Sequence, residues 1–162
     1  MIEPFFKSSA RQAALRAAVQ PWLGTPYFDA CGARAKAGVA ADCTWIAAPL
    51  QRLGAVGAVP WPKRYVARGG GASMLDLLLH VLDGTERLHC VWSRWSAKAT
   101  PAFLPGDVLV YSAGSRLHHL CLYVGENATV HSWFGLIQLG NAQDQRQRLL
   151  RAIYRAYAYD GQ

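Results

Sequence analysis

Apolar residues recur with helical spacing in the first half of the chain and alternate in the second. Leu15, Ala18, Val19 and Trp22 fall three or four apart, with Arg11, Gln12, Arg16 and Gln20 between them. This is the stripe of an amphipathic helix, capped by Ser8 or Ser9 and ended or kinked at Pro21. Leu23-Gly24-Thr25-Pro26-Tyr27 carries two breakers and reads as a turn or extended segment. From Phe28 to Ala40 the chain is rich in Gly and Ala and has no period, so a loop is expected. Helical spacing returns after Asp42: Cys43, Ile46, Ala47 and Leu50 stand at i, i+3, i+4 and i+7. A second helix is expected from Cys43 to about Leu53, with Gly54 as its stop signal. Pro49 lies inside it, where a proline costs about 3 kcal/mol. Either the helix kinks there or only its first turns are regular.

Residues 55–71 hold Pro60, Pro62 and Gly69-Gly70-Gly71, a long irregular excursion in which Trp61, Tyr65 and Arg68 could touch a ligand or cover the core. Ser73 caps a third helix, Met74 to Asp83, closed by Gly84 and apolar nearly all round, hence largely buried, with His80 structural. The period then becomes two. Strands are expected at Arg87–Trp92, Val108–Tyr111, Leu117–Val124, Ala128–Trp133, Leu136–Leu139 and Arg151–Tyr159, with a turn at Leu104-Pro105-Gly106-Asp107. Helices first and strands after predict an α+β fold with an antiparallel sheet. The 162 residues are expected to form one domain, 1–162.

The charge narrows the partners. A net charge of +7 favours acidic ones: nucleic acid, an anionic membrane or an anionic cell wall. The basic residues are scattered until Arg146, Arg148, Arg151 and Arg155, and no DNA-binding motif appears, so nucleic acid is not the expected partner. No apolar stretch is long enough to span a bilayer, and residues 1–7 lack the charged and apolar regions of a signal peptide. Four cysteines, Cys31, Cys43, Cys90 and Cys121, permit two disulfides, but nothing places them in an oxidising compartment. There is no C-x-x-C, so no metal is expected.

Two features carry chemistry. Asp42 is a good N-cap, which puts Cys43 in the first helical turn, where the dipole and unbonded N–H groups favour a thiolate. Lone cysteines at such positions also serve as small buried hydrophobes. A thiol nucleophile needs a base, and the histidines are His80, His89, His118, His119 and His131. Strands 117–124 and 128–133 must form a hairpin. If His119 faces His131 directly, the turn centres on Gly125, the residue a tight turn wants. Pairing His118 instead centres it between Val124 and Gly125 and asks positive φ of a β-branched residue. The register therefore favours His119, with His118 on the opposite face. By alternation Cys121 shares the His119 face, as a pocket-lining or core residue.

These residues resemble the NlpC family of papain-like cysteine peptidases, which cut bacterial cell-wall peptides. Leu23-Gly24-Thr25-Pro26-Tyr27 is similar to the family's "lGtPY" segment, and Asp42-Cys43-Thr44 to its Asp-Cys-Ser motif. Leu104-Pro105-Gly106-Asp107-Val108-Leu109 is similar to "L-x-PGDL". His119-Leu120-Cys121-Leu122-Tyr123-Val124-Gly125 is similar to "HVGIYVG", and Thr129-Val130-His131-Ser132 to "x-I-H-A". The resemblance covers roughly residues 10–139. It implies a papain-like core in which Cys43 is the nucleophile, His119 the base and His131 the residue orienting it. Tyr27, with Asp42, Thr44 and Trp45 around the cysteine, would form the oxyanion and substrate side. The implied reaction is hydrolysis of peptidoglycan stem peptides at the γ-D-glutamyl to diamino acid bond, by a monomer with no cofactor. A phage tail or a secretion machinery would deliver the protein from the bacterial cytoplasm to the envelope. The chain departs from the family at Phe28-Asp29-Ala30-Cys31-Gly32, where Gly-Gly is usual, and at Thr44-Trp45, where Ser-Gly is usual. Those departures leave room for an acyltransferase or amidase on another substrate. A catalytically silent wall- or tail-binding module is the non-enzymatic alternative.

Overall fold

The computed structural model describes residues 2–28, 35–61, 72–113, 117–133, 135–142 and 150–159. The elements run β1 (Glu3–Pro4), α1 (Ser9–Val19), a short helical turn (Gln20–Trp22), a second one (Cys43–Ile46), α2 (Ala47–Arg52) and α3 (Ala72–Asp83). The strands β2 (Leu88–Ser93), β3 (Val108–Ala113), β4 (Leu117–Gly125), β5 (Ala128–Trp133), β6 (Leu136–Asn141) and β7 (Leu150–Ala158) follow. The fold is α+β, with one antiparallel seven-stranded sheet ordered β1-β7-β3-β4-β5-β6 and β2 also paired to β7.

Both faces of the sheet are covered, and strand alternation sorts its side chains between two cores. Val108, Val110, Leu120, Leu122, Val130 and Tyr154 face the helices and pack with Leu15, Val19, Trp22, Trp45, Leu50 and Leu78. Leu109, Tyr111, Cys121, Tyr123, Leu150 and Ile153 form a smaller core on the reverse face, closed by Phe103, Val91 and Trp92. Burial on both sides is why β3 and β4 read as nearly continuous apolar runs rather than clean alternation.

Several local expectations are refined. Ser8 is the cap of α1, its hydroxyl accepting from Arg11 N at 3.3 Å. The expected helix from Cys43 to about Leu53 is divided: a 3-10 turn over Cys43–Ile46 passes into α2. Pro49 thereby falls in the first turn of α2, where a missing N–H removes no obligatory bond. Helix α3 buries Leu75, Leu78, Val81 and Leu82 but exposes Asp76 and His80, so it is one-sided rather than buried all round. Strand β1, too short to show a period, pairs Glu3 with Ala158 and Pro4 with Tyr157 at the N-terminus, so strands do not all follow helices. Tyr65, Arg68, Arg146, Arg148 and Cys31 lie outside the described residues.

The turn before β3 is the most constrained. Gly106 adopts φ +88°, and a Cβ there would sit 2.0 Å from Phe6 Cδ2. Asp107, fully buried, accepts Arg155 Nε at 2.8 Å on one oxygen, and Arg155 Nη2 and Leu104 N, each at 2.8 Å, on the other. The turn, β7 and the N-terminal segment are thus locked together. Removing one partner of such a pair leaves a buried charge unmatched. Arg155→Met should therefore lower stability by about 3 kcal/mol in urea denaturation. Gly106→Ala should cost about 1–3 kcal/mol through overpacking. Adding Phe6→Ala should destabilise less than the sum of the two single changes, because it removes the clash.

Candidate active site

Cys43 is placed by its neighbours. The Leu23–Tyr27 segment runs beside β6, with Gly24 N donating to Ile137 O at 2.8 Å and Ile137 N to Thr25 O at 2.9 Å. Ala41 N then donates to Pro26 O, and Phe28 N to Ala41 O, so Tyr27 is held alongside the residue that precedes Asp42. Asp42 is the expected cap: its Oδ1 accepts Thr44 N at 2.9 Å and the Thr44 hydroxyl. The turn that Cys43 opens is four residues long. Its thiol is buried, with 9% of the residue exposed, in the helix-side core that also holds Leu120 and Leu122. Trp45 is fully buried, its ring 5.5 Å from that of Trp22, and Thr44 is nearly so. The Trp45 indole therefore does not face solvent.

The histidines stand on β4 and β5. Glu126 and Asn127, at φ +54° and +59°, make a two-residue turn, with the register shifting between Tyr123 and Gly125. Two consecutive left-handed residues match the twist of a hairpin, and asparagine tolerates that region well. The turn is therefore centred between Glu126 and Asn127, beyond Gly125. Cys121, not His119, lies directly across from His131, which corrects the expected register. His119 is the diagonal neighbour, still within reach for long side chains. Its Nε2 and His131 Nδ1 are 3.0 Å apart, with the rings edge to face at 5.2 Å. The donor atoms of His119, Cys121 and His131 all lie within 4.8 Å of one another.

The surroundings set the protonation. Burial, and secondarily the charge of His131, push the His119 imidazole down to about 4. Burial also lowers His131 and raises the Cys121 thiol well above its ordinary range. At neutral pH the pair is uncharged and shares one hydrogen between the two rings. His119 Nε2 is used by His131, so Nδ1 is the nitrogen available to accept a proton.

The structure thus joins His119 to His131 and adds Cys121. Cys43 belongs to the helix-side core, while His119 and Cys121 alternate to the reverse face of β4. No hydrogen bond joins Cys43 to His119 among the described residues. A His-x-Cys pair on one strand facing a histidine on the next was readable from alternation, but only once the hairpin register was known. His89 and Cys90 have local partners: His89 Nε2 lies 2.9 Å from Tyr159 Oη, and the Cys90 thiol donates to Trp92 O. A cleft of about 190 Å³ lies at the turn end of the hairpin, lined by Arg16, Gln20, Leu23, Glu126 and Leu139, away from the histidines. No family model, curated protein or solved structure matches this chain.

The depressed histidine gives a pH prediction. Unfolding restores His119 to 6.5, so between about pH 6.5 and 4 the unfolded state binds more protons. His119's contribution to stability is fully present above 6.5 and is lost as pH falls through that window. The urea midpoint of the wild type should drop over it more steeply than that of His119→Gln.

Proposed function

We propose that this chain is a cysteine peptidase of NlpC type that hydrolyses the γ-D-glutamyl to diamino acid bond of peptidoglycan stem peptides. The observation that carries the reading is the 3.0 Å pair of His119 on β4 and His131 on β5, with the Cys43 turn packed against β4. Such a pair orients one imidazole and leaves one nitrogen, His119 Nδ1, for a thiol. The net charge of +7 suits a wall rich in carboxylates and phosphates.

In this reaction the Cys43 proton passes to His119 Nδ1, and the sulfur attacks the substrate carbonyl carbon. The oxyanion is held by the Cys43 backbone N–H with Tyr27 beside it. The C–N bond breaks as protonated His119 returns the proton to the leaving amine, giving an acyl-enzyme. Water, deprotonated by His119, then releases the acid and restores the thiol. The reaction requires Cys43 Sγ to meet His119. That approach carries Cys43 from the helix-side core to a histidine on the other face of β4, a larger change than the tightening of a hydrogen bond, and it is part of the proposal, as is delivery to the wall by a phage tail or a secretion machinery.

Intact peptidoglycan digested by the wild type should release peptides cut at one stem position, read by mass spectrometry. Cys43→Ala should release none while keeping its fold. His119→Ala should lose about 10²–10⁴ in rate. Cys43 should also alkylate faster at neutral pH than a model thiol, and lose that advantage in His119→Ala. A thiol no faster than the model compound would argue for a binding module.

A further inference from the structure

We propose that His119, Cys121 and His131 form a three-ligand site for a divalent transition metal, zinc foremost, and that the bound metal switches the hydrolase off. The second half rests on His119 being the base. Backbone register supplies the geometry. His119 and Cys121 are two apart on β4 and share a face, and His131 stands directly across from Cys121. Their donor atoms lie within 4.8 Å of one another, with the two ring nitrogens at 3.0 Å. Around tetrahedral zinc, with bonds of about 2.0 Å to nitrogen and 2.3 Å to sulfur, neighbouring donors are about 3.3–3.6 Å apart. The cluster reaches that arrangement by side-chain adjustments on rigid strands. Two imidazoles and a thiolate select zinc, cobalt or copper over magnesium or calcium, and the cluster offers no carboxylate for a hard cation. Cys121 and His131 are buried while His119 is partly open, so the ion enters past His119 and keeps its fourth position toward that opening.

Binding releases one proton. The Cys121 S–H bond breaks, its electron pair goes to the metal and its proton to solvent, while both imidazoles bind as neutral donors. Coordination through His119 Nε2 leaves the ring's remaining hydrogen on Nδ1, the nitrogen that would otherwise take the Cys43 proton. The ring then cannot act as a base.

The test uses the full chain, treated with EDTA and desalted, then titrated with cobalt(II) chloride. One equivalent should produce a near-ultraviolet thiolate-to-cobalt band and tetrahedral visible bands, bleached by zinc. The thiolate band should persist in Cys43→Ala and vanish in Cys121→Ala. No band in the wild type, or one that survives Cys121→Ala and disappears in Cys43→Ala, overturns the site. If Cys121→Ala does not fold by circular dichroism, zinc-edge X-ray absorption of the wild type decides. One sulfur and two imidazoles support the site, and an oxygen-only shell overturns it. Zinc should also slow wall digestion by tenfold or more, reversibly with EDTA, and not in Cys121→Ala. Inhibition that persists in Cys121→Ala overturns the switch. Absence of any digestion counts against the hydrolase alone, because the cobalt spectrum reads the metal site independently.

Discussion

Strand β4 is buried on both faces, and the two-residue alternation of its side chains governs the rest of the molecule. Leu120 and Leu122 enter the core beneath the helices; Cys121 and Tyr123 enter the smaller core behind the sheet. A one-residue slip would exchange the two sets and place a histidine among the aliphatic side chains of α1 and α2. The register is therefore held by the largest hydrophobic term in the fold. The chemistry inherits its geometry from that constraint, since His119 and Cys121 can share a face only if Leu120 does not.

The frame around β4 is built from the opposite end of the sheet. Strand β7 pairs with β1, β2 and β3, and Arg155 on it grips Asp107 at the start of β3. Tyr154, its neighbour, donates to Asp83 at 2.9 Å and ties the end of α3 to the same strand. Because Asp107 also accepts Leu104 N and donates its own N–H to Leu104 O, the turn entering β3 has one conformation. The β3–β4–β5 surface bearing the histidines is thus supported by polar anchors that lie outside the histidine cluster, the Asp107 carboxylate buried and Asp83 exposed.

Dryness gives the histidines their character. Two imidazoles so close cannot both carry a proton comfortably, and burial removes the water that would have screened them. The result is a neutral pair with one shared hydrogen. A neutral pair is a base for a thiol that reaches it, and equally a pair of donors for a soft cation. Cys121 tips that balance because it adds a third donor directly across from His131. A glycine there, as in the family pattern that the β4 segment resembles, would leave only two.

Much of the architecture was legible in the sequence because it follows from periodicity. The α1 stripe, the Asp42 cap, the Gly84 stop after α3 and most strands are local signals that one window of residues contains. The proximity of His119 and His131 was legible too, since a short hairpin allows few partners. Tertiary structure decided what depends on summed contacts. It divided the Cys43 helix into a 3-10 turn and α2, because that is how Pro49 avoids losing a bond. It centred the hairpin on Glu126 and Asn127, which exchanged His119 for Cys121 as the direct neighbour of His131. It placed Trp45 and Cys43 among the buried helix-side residues. Sequence determines which residues alternate. Which side of the sheet is covered, and by what, depends on burial across distant segments, and a window of neighbours does not contain that information.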